Sequence, residues 1–173
     1  MLLNIAEIME RYKPEQVKVL LVAEAPGAAA PGNESGHFYL GNTNLYRTIY
    51  TAFTNVFGAF SSPEEFFELF KSLGFYLDHL SKLPINIRDI SSRKAERERA
   101  VFSLSERLNI YQPEYVVIIM LDIQTFVNQA VKISGIQSVQ KMDAVPYPAG
   151  SETNRKNCIY AIVNLLQNGA IDY

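Results

Sequence analysis

The chain has 173 residues, 48% hydrophobic and 20% charged, with a net charge of −2. This is globular usage, long enough for one domain to bury its own core, and its slight acidity argues against the basic bias of proteins that grip phosphate backbones. No run approaches the roughly 18 consecutive apolar residues of a membrane span, and residues 1–12 lack the basic-then-apolar pattern of a secretion leader.

In chain order, residues 4–12 carry Ile5, Ile8 and Met9 at helical spacing and stop before Pro14, which predicts a short helix. Residues 17–23 (VKVLLVA) are a branched-aliphatic run of strand length that ends in Glu24-Ala25-Pro26-Gly27, a first strand and its loop. Residues 27–42 hold Gly27, Pro31, Gly32, Gly36, Gly41 and three consecutive alanines without periodicity. That composition predicts a long loop of the kind compact domains keep for function. A helix over 43–57 puts Leu45, Ile49, Ala52, Phe53 and Val56 on one face, and Ser62 and Pro63 open a second, aromatic-rich helix that Gly74 closes.

Residues 75–80 are apolar at alternate positions and predict a second strand, followed by a loop through Lys82, Pro84 and Asn86. Residues 91–110 read as a long charged helix with Ala100, Val101, Leu104 and Leu108 facing inward. Its run 93–99 alternates in sign and is most simply a solvated face. After Pro113, residues 115–121 (YVVIIML) are the clearest buried strand. A helix over 123–134, a weaker strand over 139–145 and an amphipathic helix over 151–167 complete the pattern. Strands that alternate with helices predict an α/β domain with a mainly parallel sheet covered on both faces, a three-layer α/β/α sandwich.

The single cysteine, Cys158, allows neither an internal disulfide nor a four-thiolate metal centre within one chain and fits a reducing compartment, so a cytoplasmic protein is expected. His37 and His79 are the only histidines and do not sit at metal-ligand spacing, so no metal or other cofactor is expected. No Gly-x-Ser-x-Gly elbow, dinucleotide fingerprint or phosphate loop with its lysine is present. In open parallel sheets ligands gather at the carboxyl ends of strands, which selects the loops 24–42, 78–88 and 146–154.

Those loops carry a resemblance. The segment 19–27 (VLLVAEAPG), followed by 36–41 (GHFYLG), 76–84 (YLDHLSKLP), 111–121 (YQPEYVVIIML) and 146–150 (PYPAG), resembles the ordered motifs of the uracil-DNA glycosylase superfamily. It is most similar to the thermostable branch with Gly-Glu-Ala-Pro-Gly after its first strand, though without that branch's four cluster-binding cysteines. The resemblance implies a four-stranded sheet of order 2-1-3-4. It also implies hydrolysis of the N-glycosidic bond of uracil or a related deaminated base in DNA.

Residue by residue, it implies catalytic roles for Glu24, which would position water, for His79 at the base-reading position, and for Tyr147 where the family has His or Asn. Tyr39 matches the ring that stacks the base, with Phe38 as the alternative one register away. Ala25, Pro26 and Gly27 would let the backbone approach the ligand closely. Asp78, Gly150 and Ser151 complete the candidate substrate contacts, and Lys82, Arg88, Arg93, Arg155 and Lys156 are the cations available to hold a phosphate backbone.

Each residue also has a plain structural reading. Glu24 could cap a turn, Tyr39 and Phe38 could anchor the loop in the core, and His79 could be a hydrogen-bonded strand end. Asp78 could face the pocket in its place, because neighbouring strand residues point to opposite sides. Tyr147, between two prolines, suits a pocket wall or plain loop rigidity, Ser151 suits a helix cap, and Cys158 suits a buried apolar position. The partner is thus DNA containing a damaged or deaminated base or, for a non-catalytic module of the same fold, a free base, a nucleotide or a protein.

Overall fold

A computed structural model describes residues 4–27 and 36–168. Pro31, Gly32 and the three alanines of the expected long loop lie outside the described residues. Four strands, β1 (Val19–Ala23), β2 (Phe75–His79), β3 (Tyr115–Ile119) and β4 (Lys141–Val145), pair in parallel in the order β2-β1-β3-β4. Six helices flank them: α1 (Ile5–Arg11), α2 (Asn44–Phe57), α3 (Pro63–Ser72), α4 (Ile90–Tyr111), α5 (Gln124–Ser134) and α6 (Glu152–Asn168). The order reverses after β2, so right-handed crossovers send α2 and α3 to one face and α4 and α5 to the other. The helix packing agrees, with α2 lying against α6 and α4 against α5. The result is a three-layer α/β/α sandwich.

Local chemistry sets the element ends. The side chains of Thr43, Ser62 and Asp89 accept from the amides of Tyr46 (3.0 Å), Glu65 (3.2 Å) and Ser92 (3.1 Å), and Ser151 Oγ accepts from the Asn154 amide (3.0 Å). Each satisfies a helix-start donor that has no intrahelical partner.

Every residue of β1, β2 and β3 is buried. The alternation expected for β2 is therefore absent, because helices cover both of its faces. The edge strand β4 is mostly exposed or half-buried and ends in buried Val145. β3 stops at Ile119, earlier than its apolar run suggests, because Met120 adopts φ 146° and ψ 117° and a 3-10 turn follows over Leu121–Ile123. That conformation costs a non-glycine residue about 1–3 kcal/mol.

β1 and β2 are in register through Ala23 and His79. The pairing continues past the strands, with the amides of Leu80 and Ser81 donating to Ala23 O (2.8 Å) and Glu24 O (2.9 Å). This fixes the backbone of Glu24 beside the end of β2. No described helix is long and apolar enough to cross a membrane.

Candidate functional site

A cavity of about 450 Å³ opens over the carboxyl ends of β1, β2 and β3. Its walls are the turn from Ala23 through Gly27, residues Gly36, His37 and Phe38, the start of α2 at Thr43 and Leu45, and His79. Ile85 and Ile87 from the loop after β2, Arg93 of α4, Met120 after β3 and Tyr147 after β4 complete them. Of the residues singled out from sequence, Glu24, Ala25, Pro26, Gly27, Phe38, His79, Arg93 and Tyr147 meet here.

Four of the candidate catalytic and substrate-contact residues do not line it. Tyr39 is buried in the aromatic core. Its ring lies near parallel to that of Tyr12 (6.2 Å between centroids, 8°), packs against Phe67 and Tyr76, and its hydroxyl accepts from the Leu77 amide (2.9 Å). No free ring face remains to stack a ligand, whereas Phe38, itself largely packed among aromatic rings, lines the cavity wall. Asp78 points to the opposite side of the sheet from His79, as strand alternation requires, and is sealed by Arg107, Tyr111 and Lys82. Gly150 turns the chain at φ 90°, and Ser151 spends its hydroxyl on the α6 cap.

Gly27 also has a local reason to be small. A Cβ there would meet Gly36 O at 3.0 Å, and its amide donates to that same oxygen (3.0 Å). The glycine joins the two described ends of the loop, and this accounts for it without a ligand.

Glu24 is the centre of the polar end. Arg93 donates to it bidentately, Nε to Oε1 (2.8 Å) and Nη2 to Oε2 (2.7 Å), and Arg97 adds Nε to Oε1 (2.6 Å). Burial alone would raise the carboxyl pKa, but the hydrogen bonds and charges of the two arginines outweigh it and hold the group below the usual range. One carboxylate against two guanidiniums leaves the cluster with net positive charge. The Sδ of Met120 lies 3.7 Å from Arg97 Nη2 and 3.9 Å from Arg93 Nη2, which puts the strained residue in contact with both cations.

These arginines correct the reading of residues 93–99 as wholly solvated. Lys94, Glu98 and Arg99 are exposed, but the Arg97 side chain is only 11% accessible. Their spacing, one turn apart on α4, was visible in the sequence. The partner, 69 and 73 residues away, was not. Nor is all of the basic patch free: Lys82 pairs with Asp78 (3.0 Å), Arg93 with Glu24, and Arg155 with Glu152 (3.8 Å), while Arg88 and Lys156 are exposed.

The two histidines face each other edge to face, 5.2 Å between centroids. Burial lowers the pKa of His37 to about 4, and burial together with His37 lowers that of His79 to about 3, with Asp78 opposing in both cases. Both rings are therefore neutral at physiological pH, as hydrogen-bonding groups and not cations. His37 Nδ1 accepts from the Tyr39 amide (3.3 Å), while the His79 ring makes no hydrogen bond among the described residues. Burial and the charge of Glu24 raise the Tyr147 pKa, so its hydroxyl is a neutral donor. Among the described residues no three His, Cys, Asp or Glu side chains gather as metal ligands would.

Fold and site together define a three-layer α/β/α domain with a small-molecule-sized cavity over the carboxyl ends of its parallel strands. No protein-family model matches the chain, and no curated protein sequence matches it.

Proposed function

We propose that the chain is a uracil-DNA glycosylase-like binding module that holds a small, flat, nucleobase-type ligand in this cavity. The observation that carries the reading is the division of the walls. Phe38, Leu45, Ile85 and Ile87 supply an apolar slot, and the neutral His79 ring and the Tyr147 hydroxyl present unspent hydrogen-bonding capacity inside it. A nucleobase has this same pattern, a flat apolar face with donors and acceptors along its edge.

Hydrolysis is the second reading, favoured by the convergence of the first-motif turn, His79 and Tyr147 on one cavity. What supports binding over it is the state of Glu24. Three guanidinium N–H groups donate to it, two to Oε1 and one to Oε2, so the acid that would position water is already engaged by two cations and keeps only the remaining acceptor site of Oε2 for that task.

Calorimetric titration with uracil tests the first reading. Heat of binding in the wild type, weakened about tenfold in His79→Ala and in Tyr147→Phe, is the expected result, corresponding to one lost hydrogen bond each. No heat and no rise in melting temperature at millimolar uracil would remove it. Release of uracil from single-stranded or mismatched deoxyuridine oligonucleotides would establish the second.

A further inference from the structure

The charge at the polar end of the cavity is unbalanced, and a bare nucleobase does nothing about it. Glu24 and its two arginines carry an excess of one positive charge, in a place where Glu24 is 7% exposed and Arg97 nearly as enclosed. The further acid whose charge acts on Arg93 is Asp122, which is exposed and screened by water. Arg93 itself lines the cavity with its side chain 24% accessible. It spends Nε and Nη2 on Glu24, and its Nη1 makes no hydrogen bond among the described residues. A guanidinium with one edge occupied by a carboxylate and unspent N–H groups beside a cavity is ready to donate to a second oxyanion, phosphate above all.

We propose that Arg93, backed by Arg97, is the subsite for the phosphate of a nucleoside monophosphate whose base occupies the apolar slot, with Glu24 as the internal anion that the phosphate displaces in part. This rests on the nucleobase reading above and adds to it the class of ligand. A single phosphate suits the site better than a polymer does. The chain as a whole is acidic, at −2, and of the cations that would track a backbone Lys82 and Arg155 are paired with acids, whereas one local excess charge matches one phosphate group.

The test is isothermal titration at low salt with uridine, uridine 5′-monophosphate, inorganic phosphate and a short deoxyuridine oligonucleotide. The proteins are the wild type and the Arg93→Gln, Arg93→Lys and Glu24→Gln variants, each checked for cooperative thermal unfolding. The expected wild-type result is monophosphate binding about tenfold tighter than uridine, in keeping with one charge-assisted contact. Arg93→Gln should bring the two within about twofold, and Arg93→Lys should keep part of the preference because the charge survives. Glu24→Gln should tighten the monophosphate and inorganic phosphate more than uridine, since the competing carboxylate is neutralised.

Equal affinity for uridine and its monophosphate in the wild type overturns the subsite while the nucleobase reading stands. Weaker monophosphate binding in Glu24→Gln overturns the role given to Glu24, and tighter binding of the oligonucleotide than of the monophosphate overturns the preference for a single phosphate. If uridine fails to bind but inorganic phosphate binds and tightens in Glu24→Gln, the anion subsite holds and the nucleobase reading falls. No binding of any probe overturns both.

Discussion

Asp78 and Glu24 stand at the carboxyl ends of adjacent parallel strands, and α4 supplies arginines to both, yet the two clusters are built for different ends. Asp78 is fully enclosed and saturated: Arg107, the Tyr111 hydroxyl (2.7 Å), Lys82 Nζ (3.0 Å) and the His79 amide (2.7 Å) all donate to it. Arg107 spends its remaining reach on the carbonyls of His79 (2.8 Å) and Leu80 (2.9 Å), so the cluster staples the end of β2 to α4. Its charges hold the Asp78 pKa at about 2 although burial pushes the other way. Glu24 has the same partners in kind but borders a cavity, and its arginine keeps an open edge. A saturated, sealed ion cluster can only hold the fold together. One with an open edge can exchange partners with a ligand.

The largest effect that would break this comparison comes from removing the sealed acid. Asp78→Ala strands the Arg107 guanidinium without its counter-charge in a dry site, and unfolding in urea should show a loss of about 3–5 kcal/mol. Glu24→Gln should cost much less, about 1 kcal/mol, because water reaches Arg93 and the amide still accepts. Equal losses in the two variants would mean that the clusters are both structural and that the open edge of Arg93 has no special standing.

Acid sharpens the same contrast. The two cavity histidines have pKa values depressed from 6.5 to about 4 and about 3, so below 6.5 the unfolded chain takes up protons that the folded one refuses. Stability from this source is complete above pH 6.5 and is lost as pH falls toward 4, at about 1.4 kcal/mol per pH unit for each histidine. Asp78, depressed from 3.8 to about 2, keeps its full contribution through that window and loses it only below about pH 3.8. Unfolding free energies measured from pH 7 to 4.5 should therefore fall in the wild type, and the fall should be about half as steep in His37→Gln. An unchanged slope in that variant would show that His37 already titrates normally in the folded chain.

What was legible in the sequence follows from how local each signal is. The run 115–121 reads most clearly as a buried strand, which it forms as far as Ile119, and the alternation of such runs with capped helices leads to the parallel sandwich, because chain handedness leaves few ways to connect it. The cavity walls after β1, β2 and β4 were legible for the same reason, since strand ends are where loops converge. The pairings across the fold were not. Arg93 and Arg97 sit in a run whose signs alternate like a solvated face, and nothing local marks Glu24, 69 residues earlier, as their partner. His37 stood in the quoted Gly-His-Phe-Tyr segment but matched no family position, and nothing in the loop sequence Leu-Ser-Lys-Leu-Pro-Ile-Asn-Ile distinguishes Ile85 and Ile87, which line the cavity, from its other apolar residues.

The smallest expected effects separate the two tyrosines that sequence placed in one site. Tyr39→Phe deletes the acceptor of the Leu77 amide in the middle of β2 and leaves a buried N–H unpaired, which should cost about 1–3 kcal/mol in urea unfolding. Ligand affinity should change little, because the Tyr39 hydroxyl is spent on the Leu77 amide and its ring, which also touches the cavity-wall residues His37 and Phe38, keeps its place in the variant. Tyr147→Phe reverses both halves. Its hydroxyl makes no hydrogen bond among the described residues and lines the cavity, so stability should move by less than about 0.5 kcal/mol while uracil binding weakens. A Tyr39→Phe protein that keeps its stability but loses ligand would return the stacking role to Tyr39, and would require the ring to leave the core on binding.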